Sequence, residues 1–366
     1  MTPRGICERM KVVRDSCNFM KEKLKLGHNG RITRTTDNDS PPGPFSDLLM
    51  DCSSFISKCF HEVRSQEQPD FRTTGEREYI RNTESFKAEM IPNHLLPPGG
   101  KVDLFAIHSR LNVPEHSKVL HEDSRWVTIL RDPARQYESL FNFYRLGEAY
   151  GLNLTQFRDM PIEKLGALPR KQGKFGRNQV LFDLGYPDNM SVTQLRSAMD
   201  RLDKLFDLVM ISEFMDESLV LLRHLLCWTP HDVVSFTMNA RREEVKPPLD
   251  PELLSALREL NSADVLLYDH FLAKHRRAVL EFGLDKMAEE VSELRALQDE
   301  HFDSCGTREV EVYSGMVNVY FASNKAEQDC VMMTLPELPL TNAARKHQQA
   351  LLKSLDNKTS EVRPRS

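Results

Sequence analysis

Arg131, followed by Asp132-Pro133 and then by Ser139, is the combination in this sequence best suited to holding an anion. A guanidinium gives charge-assisted, often bidentate hydrogen bonds to phosphate or sulfate oxygens. The four residues before it, Val127 to Leu130, are apolar or β-branched and read as a short buried strand. Asp132 suits a helix N-cap and Pro133 the first helical position. A helix should follow, with Leu140, Phe141 and Tyr144 on its apolar face. The segment is therefore strand, tight turn, helix, with Arg131 at the strand's carboxyl end. Ligands of open α/β sheets bind at that edge, and a helix N-terminus favours anions there. Ser139 falls two turns into the helix, where its hydroxyl can reach an anion held by Arg131. Taken alone, the motif also fits a plain ion pair of Arg131 with a neighbouring carboxylate, because short motifs match often by chance.

Other polar residues sit where chemistry is possible. Val102 to Ile107 reads as a strand that ends at His108. Arg110 can contact a substrate or sulfate, or form a surface ion pair, the commoner fate of a lone arginine. Arg170, Lys171, Lys174 and Arg177 form a basic cluster that can meet an anionic ligand; a solvated loop is the favoured reading for all but Arg177. Glu213 follows the buried strand Leu205–Ile211, on the same sheet edge as Arg131. It can orient an acceptor or His108, or cap a helix. Asp269 and His270 on a late helix look structural, and Trp228 and Phe271 look like core.

These residues need a scaffold. The 366 residues suffice for one large α/β domain with extensions. Residues 1–95 are polar and irregular, with Pro41-Pro42-Gly43-Pro44, and read as partly disordered. Residues 96–300 form the organised domain, its strands alternating with helices, which indicates a mainly parallel sheet. Residues 147–190 are loops and short helices; 251–297 are helical. Residues 301–366 are an extension with a flexible tail after about 335.

Composition narrows the function. Charged residues make up 28% and the net charge is −5, so no global basic field points to nucleic acid. No apolar run reaches the ~18–20 residues that span a bilayer, and no secretory signal is visible. The seven cysteines are scattered, without zinc spacing, so no metal is implied. They fit a reduced cytosolic chain or a lumenal one with one or two disulfides. Sequons at Asn38, Asn153, Asn189 and Asn357 tilt slightly toward the secretory pathway.

Four blocks together carry a resemblance. Trp126 to Tyr144 (WVTILRDPARQYESLFNFY) resembles the 3′-phosphate-binding strand-loop-helix of sulfotransferases that use 3′-phosphoadenosine 5′-phosphosulfate (PAPS). Gly176-Arg177-Asn178-Gln179 with Phe182-Asp183-Leu184-Gly185 resembles a signature of the galactose-3-O-sulfotransferase family. So do Phe206 to Glu213, continued by Asp216 to Leu222 and Leu226-Cys227-Trp228, and Leu267-Tyr268-Asp269-His270-Phe271. The blocks keep the family's order over about 101–280.

The resemblance implies a three-layer α/β sulfotransferase fold, with a central, mainly parallel sheet like that of P-loop NTPases. It implies a Golgi membrane enzyme that moves a sulfuryl group from PAPS to the 3-hydroxyl of a galactose on a glycolipid or glycoprotein glycan. Arg131 and Ser139 match the family's 3′-phosphate ligands. His108 stands where related carbohydrate sulfotransferases place a catalytic histidine, a base suited to near-neutral pH; a structural histidine pairing with Glu122 or a carbonyl fits equally. Arg177 and Asn178 gain weight as substrate contacts from their block, beside Arg110 and Glu213.

The pattern also has departures. The family's Lys-Thr-rich loop for the 5′-phosphosulfate should precede residue 101. Neither Arg72-Thr73-Thr74-Gly75-Glu76 nor Pro98-Gly99-Gly100-Lys101 has the right flanks, and no membrane anchor is seen. The expectation is a fold incomplete at its N-terminal strand-loop-helix. A non-catalytic family member that binds glycans or pairs with a paralogue is therefore the alternative to the enzyme. A uronyl or heparan 2-O-sulfotransferase is a weaker option, against which the Phe-Asp-Leu-Gly and Tyr-Asp-His-Phe blocks argue. The acceptor's identity and the oligomeric state, a homo-oligomer included, stay open.

Overall fold

The computed structural model describes residues 84–334, apart from 92–95, 97–98, 103–104, 106–108, 237–248, 313–316 and 324–327. His108, most of the expected strand before it, the tail after 335 and nearly all of the polar N-terminal region lie outside the described residues. Val102 pairs with Leu120 in an isolated parallel bridge, and Ser85 with Arg110 in another.

In chain order, α1 (Val113–Val119) leads to β1 (Val127–Leu130), and α2 (Pro133–Phe143) follows at once. Three short helices come next: α3 (Leu146–Tyr150), α4 (Ile162–Gly166) and α5 (Gln179–Asp183). A longer one, α6 (Val192–Leu205), runs into β2 (Leu208–Ile211), and α7 (Met215–Leu225) leaves its far end. Three helices then dominate: α8 (Pro251–Leu260), α9 (Ser262–Phe282) and α10 (Leu284–Ser304). A hairpin, β3 (Arg308–Val312) and β4 (Val317–Phe321), and α11 (Gln328–Thr334) complete the described chain.

β1 and β2 are parallel, in register from Val127 opposite Leu208 to Leu130 opposite Ile211. Side chains alternate across a strand, so the pair has two apolar faces. Leu130, Val209 and Ile211 pack with Leu202 of α6 and with Leu267, Tyr268 and Phe271 of α9. Ile129 and Met210 point the other way, toward Leu219, Leu222 and Trp228 and toward Leu294 of α10. Helices thus cover both faces, which is why both strands read as continuous apolar runs. The protein is mixed α/β and mostly helical. The large parallel sheet of a P-loop NTPase-like fold is not seen: among the described residues the parallel sheet has two strands.

A separate cluster lies under α2. Ala134, Tyr137, Leu140 and Phe141 pack against Leu253, Leu257 and Leu260 of α8 and against Phe157. Along α2 these positions recur every three or four residues, the period of an amphipathic helix. The C-terminal hairpin is antiparallel, and Cys305 and Cys330 join in a disulfide that ties the end of α10 to α11. Cys227 is also disulfide-bonded.

Candidate active site

The turn between β1 and α2 is fastened at every polar group of Asp132. Its carboxylate Oδ1 accepts from the backbone N–H groups of Ala134 (3.1 Å) and Arg135 (3.2 Å), a regular N-cap. Its Oδ2 takes a hydrogen bond from Arg258 of α8. Its own backbone N–H donates to Glu213 Oε1 at 2.8 Å. Glu213 Oε2 in turn accepts from the Tyr268 hydroxyl of α9 at 3.0 Å. Burial, reinforced by Glu213, raises the Tyr268 pKa, so the phenol stays a donor. Arg258 also reaches Asp269 at 3.5 Å.

Arg131 stands one residue before this anchored turn, at the carboxyl edge of β1. Among the described residues no carboxylate pairs with its guanidinium. The simple ion pair that the motif alone allowed is therefore not formed among the described residues. Ser139 is buried on α2, 3% exposed. Gln136 lies one turn earlier on the same helix face, also buried, and its Oε1 has no hydrogen-bond partner. Sequence reasoning passed over Gln136; the signal was a polar residue three positions before Ser139, on the same helix face.

Arg110 faces the protein. Its Nε donates to the Phe182 carbonyl at 2.8 Å and its Nη2 to the Tyr186 carbonyl at 3.3 Å. Its guanidinium lies 4.1 Å from the Phe182 ring centroid. Arg170 covers the same ring at 3.9 Å, so one phenyl is flanked by two cations. Desolvation, aided by Arg170, lowers the Arg110 pKa.

Arg170 and Lys171 of the basic cluster are bonded into the protein, and for these two the expectation of a solvated loop is corrected. Arg170 is 13% exposed in its side chain and pairs with Asp188 at 2.8 Å. It also donates to the carbonyls of Lys174 and Arg177 and to Gln179 Oε1. Lys171 donates to the carbonyls of Tyr144 and Arg145 just past the end of α2. A helix C-terminus leaves carbonyls without partners, and a lysine satisfies them well.

Asn178 is the residue before α5 and has left-handed backbone angles, φ 46° and ψ 49°, which asparagine tolerates. It is buried. Its N–H donates to Asn261 Oδ1 (2.8 Å) and its Nδ2 to the Asp188 carbonyl (2.9 Å). The Asp264 carboxylate caps α5, accepting from Val180 N–H at 3.0 Å and Leu181 N–H at 2.9 Å. Burial pushes the Asp264 pKa up to about 7 against those two bonds. Arg177 itself packs on Gly166, where a Cβ would come within 2.9 Å of its Nη1. Gly185 has φ +89°, and a Cβ there would meet the Leu111 carbonyl at 2.3 Å. The Gly176–Gly185 block is thus a tightly fitted junction that seats Arg177 at its surface.

Among the described residues no group of three or more histidine, cysteine or acidic side chains could hold a metal. No described helix is long and apolar enough to cross a membrane.

The arrangement defines a class: an α/β protein with a braced, arginine-bearing strand-turn-helix at the carboxyl edge of a parallel strand pair. Comparison with known proteins makes it specific. Residues 74–313 match the family model of galactose-3-O-sulfotransferase, and the chain belongs to that family. Galactosylceramide sulfotransferase of Mus musculus is 35% identical over 206 residues, 54% of this chain and 48% of the relative. The Bos taurus protein of that name is 36% identical over the same length. Galactose-3-O-sulfotransferase 3 of Mus musculus is 33% identical over 242 residues, 62% of this chain and 53% of the relative. The chain spans about half the length of the curated relatives it matches. No solved structure matches.

Proposed function

We propose that this chain is a PAPS-dependent sulfotransferase acting on the 3-hydroxyl of galactose in a glycolipid or glycoprotein glycan. The observation that carries the reading is Arg131: a cation at the carboxyl edge of β1, on an anchored backbone, with no described carboxylate neutralising it. Beside it the Asp132-capped α2 supplies the buried polar side chains of Ser139 and Gln136. This donor set fits a phosphate group with an adjoining hydroxyl-bearing sugar, as in the 3′-phosphoadenosine moiety. Arg131 and Ser139 would hold the 3′-phosphate. Gln136 Oε1 is an acceptor that a ribose hydroxyl can satisfy.

PAPS, when bound, supplies the sulfuryl group. The chain's own residues bind and orient. Arg131 fixes the nucleotide end by charge-assisted hydrogen bonds. Arg177 takes the acceptor side, presented on the Asn178 junction. His108 accepts the proton that the galactose hydroxyl gives up, a task for a group that titrates near neutrality. Arg110 and Glu213, assigned to substrate by motif, act through what they hold: Arg110 stiffens the Phe182 junction, and Glu213 the Arg131 turn. The disulfide Cys305–Cys330 supports an oxidising compartment, and with it a Golgi location.

Calorimetric titration with adenosine 3′,5′-bisphosphate and with PAPS tests the site. Binding of both is expected, and Arg131→Ala should weaken it about tenfold or more, as loss of a charged hydrogen-bond donor does. A folded chain that binds neither, or a folded Arg131→Ala variant with unchanged affinity, overturns the assignment. Acceptor assays with galactosylceramide and lactosides follow. Binding without transfer to any galactoside would favour the non-catalytic alternative.

A further inference from the structure

The Arg131 turn is gripped by residues that lie far away in sequence and take no direct part in holding an anion. We infer that Tyr268 and Glu213 are positioning residues for Arg131, transmitting the placement of helix α9 to the nucleotide edge of the sheet. This rests on the proposed nucleotide site.

Geometry makes the chain of contacts continuous. Tyr268 OH donates to Glu213 Oε2 (3.0 Å), and Glu213 Oε1 accepts the N–H of Asp132 (2.8 Å), the residue next to Arg131. One carboxylate thus bridges a helix and a backbone amide, each oxygen taking one donor. Without Glu213 that amide would point at the sheet edge with no protein partner. The amide belongs to the peptide unit that joins Arg131 to Asp132. Fixing it limits ψ of Arg131, and so limits the swing of the guanidinium stem. A ligand that binds a pre-ordered arginine loses less conformational entropy than one that must order it.

Tyr268 does not stand alone on its helix. Asp264, Tyr268 and His275 are spaced by four and seven residues and share one face of α9. Asp264 caps α5, behind Arg177. His275 Nε2 meets Ser218 Oγ at 3.0 Å, and that oxygen accepts the N–H of Ile211, the last residue of β2, also at 3.0 Å. One polar stripe on one helix therefore sets the Arg177 junction, the Glu213 turn and the end of β2 relative to each other. The Tyr-Asp-His-Phe block gains a physical reason: Tyr268 holds Glu213, Asp269 meets Arg258, and Phe271 fills the core beneath. Asp132 is the other acid on this turn. Arg258 neutralises it, which keeps its charge from opposing an anion at Arg131.

The test uses Tyr268→Phe, which keeps the ring in the core and removes only the hydroxyl, with Glu213→Ala and Glu213→Gln beside it. Two readouts are needed. The first is hydrogen exchange of the Asp132 amide in the nucleotide-free chain. It should speed up severalfold in Tyr268→Phe and more in Glu213→Ala. In Glu213→Gln, whose side-chain oxygen still accepts, it should stay close to wild type. The second is affinity for adenosine 3′,5′-bisphosphate, expected to fall roughly threefold to tenfold in Tyr268→Phe, the scale of one lost hydrogen bond. Unchanged Asp132 exchange in both Tyr268→Phe and Glu213→Ala overturns the inference. So does faster exchange with nucleotide affinity unchanged, because the brace would then not serve Arg131. Tighter binding in Glu213→Gln and Glu213→Ala alike would also overturn it, showing that Glu213 acts by repulsion alone. A wild-type chain that binds no nucleotide instead removes the underlying site assignment.

Discussion

Acid should destabilise this protein through two histidines, and a single buried aspartate should halve the effect. Burial lowers the pKa of His116 to about 4 and that of His275 to about 4, from an ordinary 6.5. His116 is enclosed by Phe86, Phe105 and Trp126. His275 is held against Ser218, and the neighbouring Arg276 disfavours its charge as well. A folded pKa below the unfolded one means that the unfolded chain binds the extra proton first. Stability from each histidine is complete above pH 6.5 and is lost as pH falls toward 4. Asp264 has the opposite sign. Its folded pKa is raised from 3.8 to about 7, so the folded chain binds its proton first, and stability increases as pH falls from 7 toward 4. Between pH 6 and 5 each group contributes close to one proton of difference, or on the order of 1 kcal/mol per pH unit. Two histidines against one aspartate leave a net loss of about 1 kcal/mol over that unit. Urea unfolding at pH 6 and pH 5 gives the number directly. Asp264→Asn should be less stable at both pH values, having lost a cap acceptor, but its loss between them should rise to about 2 kcal/mol. His275→Gln should show almost none. An Asp264→Asn variant with the wild-type slope would refute the reasoning, for it would mean that Asp264 is ionised in the fold at pH 6.

Two further perturbations test the scaffold. Arg170→Ala removes the hub of the Phe182 junction and takes a donor from Asp188, Gln179 and two carbonyls. Urea unfolding should show a loss of about 2–3 kcal/mol, the scale of a half-buried carboxylate and several acceptors losing a charged donor; a loss within experimental error would show that solvent replaces those bonds. Cys305→Ser with Cys330→Ser opens a link between residues 25 apart in sequence. By chain entropy it should cost about 3 kcal/mol, with limited proteolysis first cutting near the hairpin β3–β4. Equal protease resistance of both forms would show that the hairpin docks without the link.

Much of the site was legible because it is local. Val127 to Leu130, Asp132, Pro133 and the spacing to Ser139 specify strand, cap and helix within one short window, and the structure has all three. Buried apolar runs likewise announced β2 and the long helices α8 to α10. The period-two alternation of Arg308–Val312 and Val317–Phe321 was also there to be read, yet the segment passed as an extension. Periodicity fixes what a segment becomes when one face must be buried.

Which polar side chain meets which is another matter, since the pairs are remote. Glu213 and Asp132, Tyr268 and Glu213, Asp264 and Val180, Arg110 and Phe182 are each separated by more than fifty residues. All three arginines are half-buried and look alike in sequence; Arg110 and Arg170 differ from Arg131 in what the fold brings beside them. The sequence by itself determined the strand-turn-helix that carries Arg131, the family and the elements around it. Only the tertiary structure decided which cations are bound into the protein and which has no carboxylate beside it among the described residues, because partnership between distant groups is set by packing and not by local pattern.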